Sequence, residues 1–279
     1  MEVIYNIMET IFPFEFMQYH FIKNAFLAII VIAPIFGILG TMIVNNKMSF
    51  FSDALGHSAL TGVAIGALIG ITDYSVSMII FAVAFALLLN FVKQKGTTSA
   101  DTIISVFSST AIAVGLVILS KIGGINKYSS YLVGDILSIS TKEIVTLAIT
   151  LVVTFGIWLV IFNKLLVLSV SAPLAKTKGI NVSLFENIFV VLIAVIVMVT
   201  IRWIGILLIN SLIILPAASS RNISTNVRQY TIYSIIISLI SGILGIIISF
   251  GAGYATGPTI VVVSAVIYFL TLILRDNNK

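Results

Sequence analysis

Apolar runs long enough to cross a bilayer recur along nearly the whole chain, separated by short gaps of charged residues or Gly, Pro and Asn. They fall at about 24–44, 54–70, 76–92, 103–120, 144–162, 187–201, 204–218, 230–249 and 258–274. Lipid offers no water to an unpaired backbone group, so only helices and closed barrels span it, and these runs exceed the roughly 10 residues of a barrel strand. The chain is therefore expected to be an all-α polytopic membrane protein with about nine transmembrane helices. The count drops to eight if the two short runs flanking Arg202 and Trp203 form one broken or re-entrant element. Composition agrees: 59% of the residues are hydrophobic and 9% charged, with a mean hydropathy of +1.20, whereas a soluble domain carries about 25% charged residues. Residues 1–279 read as a single transmembrane domain, with nothing left over for a soluble catalytic unit.

A net charge of +5 would point to nucleic acid in a soluble protein, but here the basic residues sit between apolar runs and set topology instead. With the N-terminus outside, the inner segments hold Lys47, Lys93, Lys95, Lys164, Lys176, Lys178, Arg221, Arg228, Arg275 and Lys279, ten of the fifteen basic residues. The outer segments keep Lys23, Lys121, Lys127, Lys142 and Arg202. That bias predicts an external N-terminus and a cytoplasmic C-terminus in a multi-pass protein of the cytoplasmic membrane. The first 20 residues carry Glu2, Glu9 and Glu15 and no basic residue, the reverse of a signal peptide's positive leader, so the N-terminus is expected to be retained. Cysteine is absent, which excludes disulfides, thiolate metal ligands and a cysteine nucleophile.

Two links are long. Residues 121–143 combine Gly123 and Gly124 with the apolar run 128–139, as expected of a short element at the outer interface. Residues 163–186 form the only sizeable inner loop, in which Ser171 and Pro173 signal a helix start and Gly179 its stop.

The segment richest in chemistry opens the second span: Phe51-Ser52-Asp53-Ala54-Leu55-Gly56-His57-Ser58-Ala59-Leu60-Thr61-Gly62. Asp53 and His57 are four residues apart, so a helix stands them on one face about a turn from each other. A carboxylate oxygen and an imidazole nitrogen together suit zinc, manganese or ferrous iron. The plainer alternative is that Asp53 caps the helix and His57 hydrogen-bonds a neighbouring span. The cost of placing ionisable groups within a span, roughly 2.5–3.5 kcal/mol on insertion scales, favours a functional role. Two ligands fall short of the four of a structural zinc site, so other helices contribute or a two-fold dimer supplies the pair twice. Thr61, a turn further on, is expected to line the same path. Gly62, Gly66 and Gly70 form a small-xxx-small pattern that lets a neighbouring helix approach closely.

A second distinctive run is Gly205-Ile206-Leu207-Leu208-Ile209-Asn210-Ser211-Leu212-Ile213-Ile214-Leu215-Pro216-Ala217-Ala218. Asn210 and Ser211 in an apolar span mark a protein-facing helix and candidate pathway-lining groups, and Pro216 a possible break. A third is Tyr131-Leu132-Val133-Gly134-Asp135-Ile136-Leu137, whose Asp135 reads as an interfacial carboxylate. No G-x-x-x-x-G-K-[ST] phosphate loop and no H-E-x-x-H occurs, which argues against ATP hydrolysis by this chain and against a metalloprotease.

These three runs, over nearly the whole chain, resemble the membrane permease subunits of bacterial ABC importers for zinc, manganese or iron. The resemblance implies a transport subunit with no ATPase site of its own and no permanently bound cofactor, its cargo being a divalent metal ion, zinc or manganese. It implies a homodimer, a cytoplasmic ATP-binding subunit and an extracytoplasmic metal-binding protein as partners, in a bacterial cytoplasmic membrane. Asp53 and His57 are then the metal ligands of the pathway. The short inner helix, with Pro173, Leu174, Ala175, Lys178 and Gly179, resembles the coupling helix that docks on the ATPase. Ala172-Pro173-Leu174 stands where an acidic residue often precedes the alanine in such permeases. A rival reading from the residues alone is a secondary cation carrier that uses the same Asp and His but is driven by an ion gradient.

Overall fold

A computed structural model describes residues 5, 8–10, 15–71, 73–96, 98–122, 134 and 136–277. The helices are α1 (His20–Asn45), α2 (Phe51–Ile69), α3 (Tyr74–Lys95), α4 (Ala100–Ile122), α5 (Thr141–Val170), α6 (Ala172–Thr177), α7 (Val182–Ile204), α8 (Ile206–Ile223), α9 (Val227–Ala252) and α10 (Thr256–Asn277), with no strand among the described residues. Eight of these are long and apolar enough to cross a membrane; α8, at 18 residues, lies outside that eight, and α6 is a single short turn or two. Each apolar run of the sequence corresponds to one helix, the run 204–218 beginning at the Ile204–Gly205 joint between α7 and α8. Tyr131 to Val133 and Asp135 of the third motif lie outside the described residues, as do Lys127 and Lys279; the nearby Ile136–Ser138 is a 3₁₀ turn.

Helix ends follow local chemistry. Ser140 and Glu143 form a reciprocal capping box at the start of α5, and Asp73 accepts a hydrogen bond from the Ser75 N–H at the start of α3. Gly70 closes α2 in the left-handed conformation, as C-terminal glycines do.

Two expectations change. The inner loop 163–186 is mostly helix: α5 continues to Val170 and α7 begins at Val182, leaving only residues 171–181 as the link around α6. An apolar count stops at Lys164, but a helix need not end where the hydrocarbon does; α5, at 30 residues, is about 45 Å long. The second change concerns Pro216, which sits inside an unbroken α8, while the interruption falls at Gly205. Neighbouring helices pack around membrane prolines closely enough to tolerate the missing N–H.

The first helix is the centre of the bundle, packed against α9, α8 and α5, with Phe26, Ile29, Ile32, Phe36 and Leu39 fully buried. It touches backbone to backbone: a Cβ on Gly40 would overlap the carbonyl oxygen of Ile213 in α8. Ser234 Oγ and Tyr230 Oη of α9 donate to the carbonyls of Gly37 and Thr41 at 2.9 and 3.4 Å. The second helix packs against α3 and α4, where Gly62 and Gly66 lie against Met78 and Ser77 as the small-residue pattern predicts.

Contacts tie one set of helix ends together. Lys93 reaches Met48 Sδ (3.4 Å) and Glu186 (3.9 Å), Gln94 donates to Glu186 (2.8 Å), and Arg275 reaches Asn222. Lys47, Lys164, Lys176, Lys178, Arg221 and Arg228 belong to the same basic end of the bundle. The opposite end holds the Lys23–Glu9 ion pair and the bond from Asn24 Nδ2 to the Ile139 carbonyl (3.0 Å).

Candidate metal pathway

The chain leaves α1, turns through Lys47 in a left-handed conformation (φ 55°), and starts α2 with the Phe51 N–H bonded to the Met48 carbonyl at 2.9 Å. Asp53 therefore stands in the first turn, where a helix N-terminus favours a carboxylate. The neighbours Ser52, Ala54, Leu55, Gly56 and Ser58 are buried, but the side chains of Asp53 and His57 are each 36% exposed and form a ridge. His57 Nε2 and Asp53 Oδ2 lie 3.6 Å apart. This exceeds hydrogen-bond reach and is near the roughly 3.4 Å that separates two ligands of a tetrahedral ion with bonds of about 2.0–2.2 Å. Among the described residues no three or more His, Cys, Asp or Glu side chains form a metal-holding group. One chain thus offers two donors on an open face and no cage.

Asp53 also borders a cleft of about 480 Å³ between the start of α2 and the first half of α4. The other face of α2 is fixed by close packing. Ser52 Oγ donates to Asn210 Oδ1 of α8 at 2.7 Å, and a Cβ on Gly56 would come within 2.8 Å of Ile206 Cγ2. Asn210 therefore holds α2 in register with α8. Sequence reasoning singled out Asn210 but passed over Ser52; a hydroxyl buried at the mouth of an apolar span was the signal for it. Ser211 follows on α8, half-buried and engaged in its own contact.

Thr61 is 1% exposed, and its Oγ1 donates to the Ala111 carbonyl of α4. A Cβ on Gly115 would sit 2.8 Å from that hydroxyl, so α4 covers this position completely. Eight residues along a 3.6-residue helix turn the face by about 80°, which carries Thr61 off the ridge that Asp53 begins. The structure thus joins Asp53 with His57, sets Asn210 behind them, and places Thr61 in a helix contact.

The three motifs of the sequence meet at one place. Gly205, the only residue between α7 and α8, has φ 79° and ψ 160°, a conformation essentially confined to glycine. Gly134, with φ 62°, lies so close that a Cβ on it would overlap the Ile204–Gly205 peptide. The Gly134 motif thus backs onto the joint, and the following turn of α8 grips α2 through Ile206 and Asn210.

At the basic end, Ser171 Oγ accepts from the Leu174 N–H (3.3 Å), α6 runs over Ala172–Thr177, and Gly179 follows at φ 72°. Ala175 is fully buried as the anchor, while Pro173, Leu174, Lys178 and Gly179 face outward. The helix thus presents Leu174, 44% exposed, beside Lys176 and Lys178.

Comparison with known proteins places this geometry in context. The sequence pattern described as the ABC 3 transport family matches residues 18–275. The chain is 29% identical over 253 residues to the high-affinity zinc uptake system membrane protein ZnuB of Haemophilus influenzae, covering 90% of this chain and 97% of that one. It is 31% identical to ZnuB of Buchnera aphidicola subsp. Baizongia pistaciae, covering 88% of this chain and 94% of that one. Against the manganese import system permease protein ScaB of Streptococcus parasanguinis the identity is 26%, over 98% of this chain and 97% of the relative. The fold matches a chain of PsaBC from Streptococcus pneumoniae, solved in complex with Fab, with a TM-score of 0.79 at 23% identity, covering 97% of this chain and 95% of that one.

Proposed function

Because the chain belongs to the ABC 3 transport family, we propose that it is the permease subunit of an ATP-driven importer that carries a divalent transition metal ion, zinc or manganese, into a bacterial cell. The observation that carries this reading is the Asp53–His57 ridge, two borderline-metal donors 3.6 Å apart on a helix whose stretch 51–64 is otherwise buried. Relatives named for zinc uptake and for manganese import support the cargo class. The gradient-driven carrier has no observation in its favour.

Placed in a bacterial inner membrane, the basic end faces the cytoplasm by the positive-inside rule, which sets the N-terminus outside and, with α8 as a ninth crossing, the C-terminus inside. Two donors cannot hold an ion firmly, so a second copy brings its own Asp53 and His57 across a two-fold axis and completes a set of four. A cytoplasmic ATP-binding subunit docks on α6 through Pro173, Leu174, Lys178 and Gly179, with Ala175 anchoring the helix. An extracytoplasmic metal-binding protein delivers the ion from the other side. A ligand set split between two chains opens when the chains part, which permits release in an alternating-access cycle.

The test is metal-stimulated ATPase activity and uptake by the reconstituted complex, compared across zinc, manganese and iron. Stimulation by one of these ions that disappears in His57→Ala is the expected result. Transport by the permease in the absence of any ATP-binding subunit overturns the proposal.

A further inference from the structure

The fourth helix is 23 residues long and meets the rest of the bundle along a narrow strip of Ile103, Ile104, Ala111, Gly115 and Leu119. Its outward positions change character halfway. Beyond Thr110 they are Val114, Leu116 and Val117, the last 70% exposed, as hydrocarbon requires. Before it, Val106 is 58% exposed, but it stands among Asp101, Thr102, Ser105 and Ser109, all exposed, and Ser108, half-buried. A carboxylate and several hydroxyls on one outward face are costly against lipid, which offers them no partners. The same side chains line the cleft that begins at Asp53.

We infer that Asp101 is a further cation-handling residue, at the mouth of a hydrated lane formed with Thr102, Ser105, Ser108 and Ser109, along which the metal ion leaves Asp53 and His57 for the basic end. This rests on the transport reading proposed above. Two observations connect the lane to the ion. The cleft is continuous with the ridge, since Asp53 borders it, so an ion leaving the pair enters space where the hydroxyls of α4 stand beside Phe50, Ile104 and Val106. The exit also needs negative charge. Lysines and arginines crowd that end of the bundle, and Glu186 is committed to Lys93 and Gln94. Asp101 makes no ion pair with a described residue and offsets that positive field where the ion must pass. Oxygen donors from hydroxyls hold a hydrated divalent ion weakly, which suits passage better than capture.

The chain has no cysteine, so a single introduced thiol is the one labelling site on it, read on this chain after separation from its partners. In inverted membrane vesicles holding the complete transporter, a membrane-impermeant, positively charged methanethiosulfonate should label Ser105→Cys and Ser109→Cys many-fold faster than Val117→Cys. Rates equal to that of Val117→Cys overturn the lane and leave the proposed function standing. In metal uptake, Asp101→Asn should lower the maximal rate several-fold with little change in the metal concentration for half-maximal uptake, and Asp101→Glu should restore it. An unchanged rate in Asp101→Asn overturns the role of Asp101. Normal uptake in Asp53→Asn overturns both this inference and the transport reading on which it rests.

Discussion

Two helices of this bundle, α2 and α10, invert each other. The second helix is the least apolar of the eight candidate spans, yet 67% of its span-length stretch is buried; α10 is far more apolar, with 17% buried. Val262, Phe269 and Ile273 of α10 stand outward, about 60% exposed each, while α2 keeps Ser52, Ser58 and Thr61 inside. In water the arrangement would be unstable. In a bilayer it is required, because lipid tails accept α10 and reject the polar atoms of α2, which are left to find partners in protein. The small residues that make α2 weakly apolar also let α3 and α8 close around it, while α4 approaches through its own Gly115. Over residues 51–64 of α2 only Asp53 and His57 are not buried, while its far end, at Leu68 and Ile69, opens outward as well.

The comparison breaks hardest at the ridge. His57→Ala should reduce metal uptake to background while the chain still inserts, checked by uptake of zinc and manganese beside a count of the protein in the membrane. Stability is the next lever. Gly40→Leu drives a side chain into the Ile213 carbonyl and should destabilise the purified protein by about 1–3 kcal/mol or more, read as a lowered melting temperature in detergent. A smaller effect is expected from Ser52→Ala, which removes the 2.7 Å bond to Asn210. Bonds between membrane helices average about 0.6 kcal/mol, so melting should shift little, whereas uptake should fall several-fold if Asn210 sets the position of Asp53 through Ser52. At the other extreme, Val266→Leu on α10 and Gly156→Ala on α5, where nothing lies within 4 Å of the added Cβ, should leave stability within about 0.5 kcal/mol and uptake unchanged. A large loss from Val266→Leu would erase the contrast between the two helices.

Much of this was legible in the chain because lipid imposes a length rule on each apolar run. The short helix α6 was legible for a local reason: Ser171 caps it, Pro173 sits in its first turn and Gly179 follows its end, all within reach of one another. The Asp53–His57 pair was legible because four residues is a helical repeat. What escaped depends on neighbours remote in sequence. Thr61 has the spacing of a pathway residue, but Gly115, over fifty positions away, decides that it is covered. Pro216 has the look of a break, but the chain yields at Gly205, where Gly134 presses on the peptide. The hydroxyls of α4 carry no motif, and their meaning emerges only from which side of that helix the bundle leaves bare.

With Gly205 alone between them, α7 and α8 are two rods on a single pin. The first rod extends from the link beside α6 at the basic end; the second presses on α2 within a turn of the pin, at Gly56 and Ser52. Any tilt of α7 about that pin therefore bears first on the stretch of α8 packed against the helix that carries Asp53 and His57.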